Sequence, residues 1–121
     1  MRRTRSLTLT GDLLRAYSRR GNFHSEPDEA RRIGLPGLVA QGMQVAGPAY
    51  GIALDAWGDD FLAHGVIELK FVGMVIEDQT VDTDVSIDAS IDASIHTAAT
   101  LTVTNRDTGM VVVVGTMGGP T

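Results

Sequence analysis

The arrangement in this 121-residue chain that could do acid–base chemistry centres on one turn ahead of Gly42. His24 stands in the turn Asn22-Phe23-His24-Ser25, and imidazole is the side chain whose ordinary pKa lets it take or give a proton near neutral pH. Glu26 is the nearest carboxylate, with Asp12 and Asp28 next; Asp28 and Glu29 are more simply first-turn helix stabilisers. Gln41 and Gly42 stand at the mouth of the next helix, and a helix start buried in a sheet leaves N–H groups that need an acceptor. His64 and His96 read as exposed loop or strand residues. Arg15, Arg19, Arg20, Arg31 and Arg32 surround the His24 turn, either solvated or poised to meet an anion.

The elements that must position these groups follow from periodicity. Between Gly34 and Gly58 the chain is almost uncharged, with Asp55 as the single charge from Val39 to Trp57. Its larger apolar residues, Val39, Met43, Val45, Tyr50, Ile52, Leu54 and Trp57, leave no wide polar stripe, which predicts a helix wrapped by the rest of the domain. Its first turn lies between Leu38 and Gly42, and Gly47-Pro48 predicts a kink or a displaced start. Upstream, Thr10-Gly11-Asp12 starts a short helix with Leu13, Leu14 and Tyr17 on its apolar face, ended by Gly21-Asn22. Ser25 is the expected N-cap of a second short helix, with Pro27, Asp28 and Glu29 in its first turn, running to about Ile33.

Beyond Gly58 everything reads as strand. Residues alternate apolar and polar in Val66–Phe71, Val81–Ala89 and Ala99–Val103, and Met110–Met117 is the last strand after a hairpin loop at 105–109. Residues 1–10 alternate weakly. Ser86–Thr97 holds a period-four repeat, read as a small tandem duplication that obscures the register and the turn. One α+β domain spanning residues 1–121 is expected: a curled antiparallel sheet of about five strands around one central helix.

Composition narrows the function classes. At 43% apolar residues the chain can build one core and has no room for a second domain. Gly47, Pro48 and Asp55 interrupt the best apolar stretch, so no membrane partner is expected. The basic N-terminus lacks the apolar core of a secretory signal, and the absence of cysteine fits a reducing cytoplasm. The net charge is −5, but eight of the ten basic residues lie at or before Arg32, which leaves a basic face on an acidic protein. Without aromatics interleaved in it, that face does not suit nucleic acid.

The segment Gly21–Gln44 resembles the signature of the MaoC-like dehydratases, the (R)-specific enoyl-CoA hydratase branch of the hot-dog fold. His24, Ala30-Arg31, Gly34-Leu35-Pro36-Gly37 and Ala40-Gln41-Gly42-Met43 match that family's histidine, Ala-Arg pair, glycine link and helix opening. Gly65 to Val75 and Asn105–Gly109 are similar to its second strand and last hairpin. The resemblance implies a hot-dog fold and a hydro-lyase acting on an acyl thioester, carried by coenzyme A or by the phosphopantetheine of an acyl carrier protein, in a polyketide or fatty-acid-type pathway. It implies that His24 is the acid/base, that the Gly42 amide polarises the thioester carbonyl, and that Asn22, Gln41, Met43 and Tyr50 contact the substrate. No metal and no other cofactor is implied.

The chain departs from the family at the Asn-Pro of its motif, here Asn22-Phe23, and at the catalytic pair. The aspartate five residues before the histidine, which shares its water and protons, is here Arg19, and a guanidinium does not accept a proton at neutral pH. Three readings stay open: a carboxylate such as Glu26 replaces it; His24 acts alone, with an arginine such as Arg19 on a substrate carboxylate; or the chain binds an acyl group without dehydratase chemistry, as an accessory protein. A hot-dog thioesterase is the further alternative. An open sheet edge predicts a homodimer, with Met110–Met117 as the strand at the interface.

Overall fold

Alternating residues on one strand face need a partner layer, and an uncharged helix needs a cover. The computed structural model pairs the two and describes residues 2–19, 21–88 and 98–118. Its elements in chain order are β1 (Arg2–Thr8), α1 (Gly11–Tyr17), α2 (Pro27–Arg32), α3 (Gly42–Val45), α4 (Gly47–Trp57), α5 (Asp59–His64), β2 (Val66–Phe71), β3 (Thr80–Asp88), β4 (Ala98–Asn105) and β5 (Val111–Gly118). The strands form one antiparallel sheet in the order β1-β3-β4-β5-β2. No helix among the described residues is long and apolar enough to cross a membrane.

The core lies between that sheet and α4. Val81, Val85, Leu101 and Val103 face inward from β3 and β4, while Ala49, Ile52 and Ala53 face them from the helix. The alanines let the helix approach closely, and each fully buried Val, Ile or Leu contributes about 1.5–3 kcal/mol relative to an exposed one. Leu9 and Leu14, both buried, bring β1 and α1 into the same cluster. A bulge where β5 pairs with Val103 and Thr104 breaks the alternation, so Val112 and Val113 are both buried. The carbonyl of Val112 then accepts from Val72 and Gly73, at 2.9 and 3.2 Å, which anchors the chain leaving β2.

Several expectations change. The central helix is split at Ala46 into α3 and α4, with Pro48 in the first turn of α4, where its missing N–H costs nothing. It is covered on one side only: Met43 and Leu54 are exposed, and Arg5 from β1 lies across Gly51 to pair with Asp55. Residues 59–64 are helical rather than strand. Gly58, at φ +65°, closes α4 through its N–H to Leu54 O, two aspartates open α5, and stacking of Trp57 on Phe61 (5.7 Å) seats it. Glu26, not Ser25, occupies the N-cap position of α2, because the Ser25 hydroxyl donates to Arg19 O (2.9 Å).

The strand at Met110–Met117 is not an edge. Observed as Val111–Gly118, it lies between β4 and β2, and the edges are β1 and β2. Part of its apolar character reflects burial of Val112, Val113 and Met117. The hairpin at 105–109 is present, with Gly109 at φ +74° and buried Asn105 bonded to Gln79 and to the Asp107 amide. Most of the period-four repeat falls outside the described residues, as does His96.

The sheet's outer face carries its charge in a cross-strand network. Arg106 grips Asp82 through two N–H groups, at 2.6 and 3.0 Å, and the Ser6 hydroxyl donates to the same carboxylate. Arg106 and Ser6 hold Asp82 at about 2, below the usual carboxylate range. A depressed carboxyl adds stability above its unfolded pKa, and that contribution is lost as pH falls toward about 2.

Two buried side-chain atoms, Gln44 Oε1 and Thr83 Oγ1, have no hydrogen-bond partner among the described residues. Thr83 Oγ1, on the inward face of β3, is fully buried and makes no hydrogen bond. An unsatisfied buried hydroxyl costs about 1–3 kcal/mol. Thr83→Val, which keeps the shape and removes the hydroxyl, should raise stability by about 1 kcal/mol. The check is a higher urea midpoint with an unchanged slope.

Candidate active site

The His24 turn is built by its neighbours in sequence. Gly21 takes φ +85°, which a side chain would resist, and Asn22 folds its own side chain back so that Oδ1 accepts from the His24 amide (2.9 Å). The Asn22 carbonyl accepts from the Ser25 and Glu26 amides, at 3.1 and 2.8 Å. Asn22 Oδ1 also accepts from the Ser18 hydroxyl (3.2 Å), tying the turn to the end of α1.

A second set of bonds brings this turn to the helix. The Val39 amide donates to Phe23 O (3.3 Å), and His24 Nδ1 lies 2.6 Å from Val39 O. On its other side the same segment joins residues 75–77: Ala40 donates to Val75 O (2.8 Å), Glu77 donates to Leu38 O (2.9 Å), and Val39 bridges Ile76. Gly42 opens α3 directly beyond this clamp. The imidazole and the helix start therefore share one short, doubly tethered strand of backbone.

That geometry fixes the histidine's tautomer. A carbonyl oxygen only accepts, so Nδ1 carries the proton and the neutral ring presents Nε2 as a lone pair. The Phe23 ring packs against the imidazole at 4.1 Å between centroids, limiting its rotation.

His24 opens onto a cavity of about 640 Å³, whose walls include Tyr17, Gln41, Gly42, Met43 and Phe71. The first hydrogen bonds of α3 are made by Gln44 and Val45 to Gln41 O, so the Gly42 and Met43 amides have no acceptor among the described residues. Gly42 is needed for close approach, because a Cβ there would lie 2.8 Å from the Phe71 ring. Tyr17, Met43, Phe71 and Met74 are all well exposed, so the cavity is an open, largely apolar groove.

Of the residues expected from sequence, His24, Gln41, Gly42 and Met43 come together here. Asn22 shapes the turn instead of lining the cavity. Tyr50 is half-buried against the core. Glu26 lies on a separate depression with Arg15, Ala16 and Ser25. Arg19 is exposed and contributes its carbonyl, which accepts from the Ser18 and Ser25 hydroxyls. Asp12 and Asp28 pair with Arg15 and Arg31, and His64 is exposed at the end of α5. By spacing alone Tyr17 and Phe71 are apolar-face residues of their helix and strand. Leu14 takes the buried place on α1, which turns Tyr17 to the cavity.

No family model matches the chain, and no curated protein matches its sequence. Solved structures do. An (R)-hydratase from A. caviae involved in PHA biosynthesis superposes with a TM-score of 0.80 at 15% identity, over 100% of this chain and 95% of that one. The hot-dog fold is established. The HadBC (3R-hydroxyacyl-ACP dehydratase) complex from Mycobacterium tuberculosis matches this hot-dog chain at a TM-score of 0.68 and 19% identity, covering 97% of it and 91% of the matched chain. A MaoC-like dehydratase from Rhodospirillum rubrum gives a TM-score of 0.64 at 17% identity, over 98% and 88%.

The packing of Phe71 on Gly42 yields a direct test. Gly42→Ala should force the Phe71 ring off the helix start and lower stability by about 1 kcal/mol. Urea unfolding checks it, as a lower midpoint with an unchanged slope.

Proposed function

We propose that this chain is a MaoC-like hydratase or dehydratase acting on an acyl thioester. The observation that carries the reading is the bond between His24 Nδ1 and Val39 O, which leaves Nε2 as a base on the cavity that Gly42 also lines. A thioester carbonyl placed against the Gly42 amide would gain negative charge as a nucleophile adds at C3, and a helix start favours that charge. His24 takes the proton of the attacking water. In the reverse direction the imidazolium returns it to the departing hydroxyl.

The apolar walls suit an acyl chain, and the surrounding arginines suit its carrier. Arg31 and Arg32 are engaged by Asp28 and Glu29, whereas the Arg19 guanidinium has no acidic partner among the described residues. Arg19 therefore meets a phosphate of coenzyme A or of a phosphopantetheinyl carrier protein, as a cation and not as a base. A fatty-acid or polyketide-type pathway in the cytoplasm is the setting this chemistry fits. A second copy of the chain covers the groove. The open edge of β2 and the exposed Met43, Phe71, Val72 and Met74 support a homodimer, and a monomeric mass by light scattering at micromolar concentration would contradict it.

The enzyme test uses crotonyl-CoA and 3-hydroxybutyryl-CoA, followed by enoyl absorbance and by free thiol. Interconversion is expected, reduced at least about 100-fold in His24→Ala. Thiol release without interconversion would mean a thioesterase. Silence in both assays, with His24→Ala binding ligand as the unsubstituted chain does, would mean an accessory protein.

A further inference from the structure

We propose that Tyr17 is the second proton-transfer group of this site, donating to the substrate α-carbon. The inference rests on the hydratase reading above. That chemistry needs a proton at C2 as well as a base for water, and the position that would hold the aspartate is Arg19, outside the cavity. Among the described residues lining the cavity, only His24 and Tyr17 carry a side chain that can exchange protons.

Two tethers fix the helix that carries Tyr17 to the cavity wall. It is the last residue of α1, and the next residue, Ser18, donates to Asn22 Oδ1, the same oxygen that accepts the His24 amide. One turn earlier, Leu13 O accepts from Gln44 Nε2 at 2.9 Å, which fastens α1 to α3. The helix carrying the phenol is thus fixed to the base at one end and to the amide-bearing helix at the other. Glu26 has no such placement, since it faces the depression beside Arg15.

The step balances without a co-reactant. Water gives a proton to His24 Nε2 while its oxygen bonds to C3, and the C2=C3 electron pair moves into a thioester enolate. The enolate then takes the Tyr17 hydroxyl proton at C2, leaving a phenolate, which recovers a proton from the His24 imidazolium through solvent. Water has been added and both side chains are restored.

Tyr17→Phe keeps the ring and removes the donor. Its kcat for crotonyl-CoA hydration should fall about 100-fold with KM within about threefold, as for loss of a general acid acting in the transition state. A kcat within twofold of the unsubstituted enzyme, or a loss carried by KM with kcat unchanged, overturns the role of Tyr17. If interconversion occurs and is lost in His24→Ala but kept in Tyr17→Phe, the hydratase reading stands and this inference falls. If the unsubstituted protein shows no interconversion, both fall.

Discussion

Three residues of extended backbone, Leu38 to Ala40, carry the arrangement on which the site depends. They are held from one side by the His24 turn and from the other by residues 75–77, through hydrogen bonds that leave them little freedom. A buried backbone segment must satisfy its N–H and C=O groups somewhere, and here that requirement itself places the imidazole. Val39 spends its carbonyl on His24 and its amide on Phe23, so the ring, its tautomer and the start of α3 are set together.

The larger architecture supplies the ground for that clamp. Alanines at 46, 49 and 53 let the helix sit close on β3, while Gly51 leaves room for Arg5 to cross from β1 and pair with Asp55. An exposed ion pair of this kind adds little by itself. The edge strand is held over the helix by its pairing with β3 and by buried Leu9 just beyond it. On the far side the Val112 carbonyl secures the chain after β2, which brings Phe71 against Gly42 and gives the groove one wall.

Much of this was legible in the residues. The uncharged run from Val39 to Trp57, the alternation in the segments beyond Gly58 and the His24-to-Met43 signature gave a helix, the strands and four members of the cavity wall. Other features depend on long-range contacts that periodicity does not encode. Asp59–His64 is helical because Gly58 can take a positive φ and Phe61 finds Trp57. Met110–Met117 reads as an edge strand because apolar composition alone does not tell a strand paired on both sides from one at the sheet's edge. Glu26 is close to His24 in sequence, yet the turn sends it to another face. Tyr17 was hidden by its spacing from Leu13 and Leu14, which fits a core-facing stripe equally well.

The central claim is that His24 is a neutral base whose Nδ1–H is committed to Val39 O and whose Nε2 faces the cavity. Nitrogen-15 spectra of the histidine ring, assigned by comparison with His24→Ala and recorded above the ring's titration, test this directly. Protonation at Nδ1 with an unprotonated Nε2 is the predicted result. A ring protonated at Nε2, or one averaging freely between the two tautomers, would contradict the account.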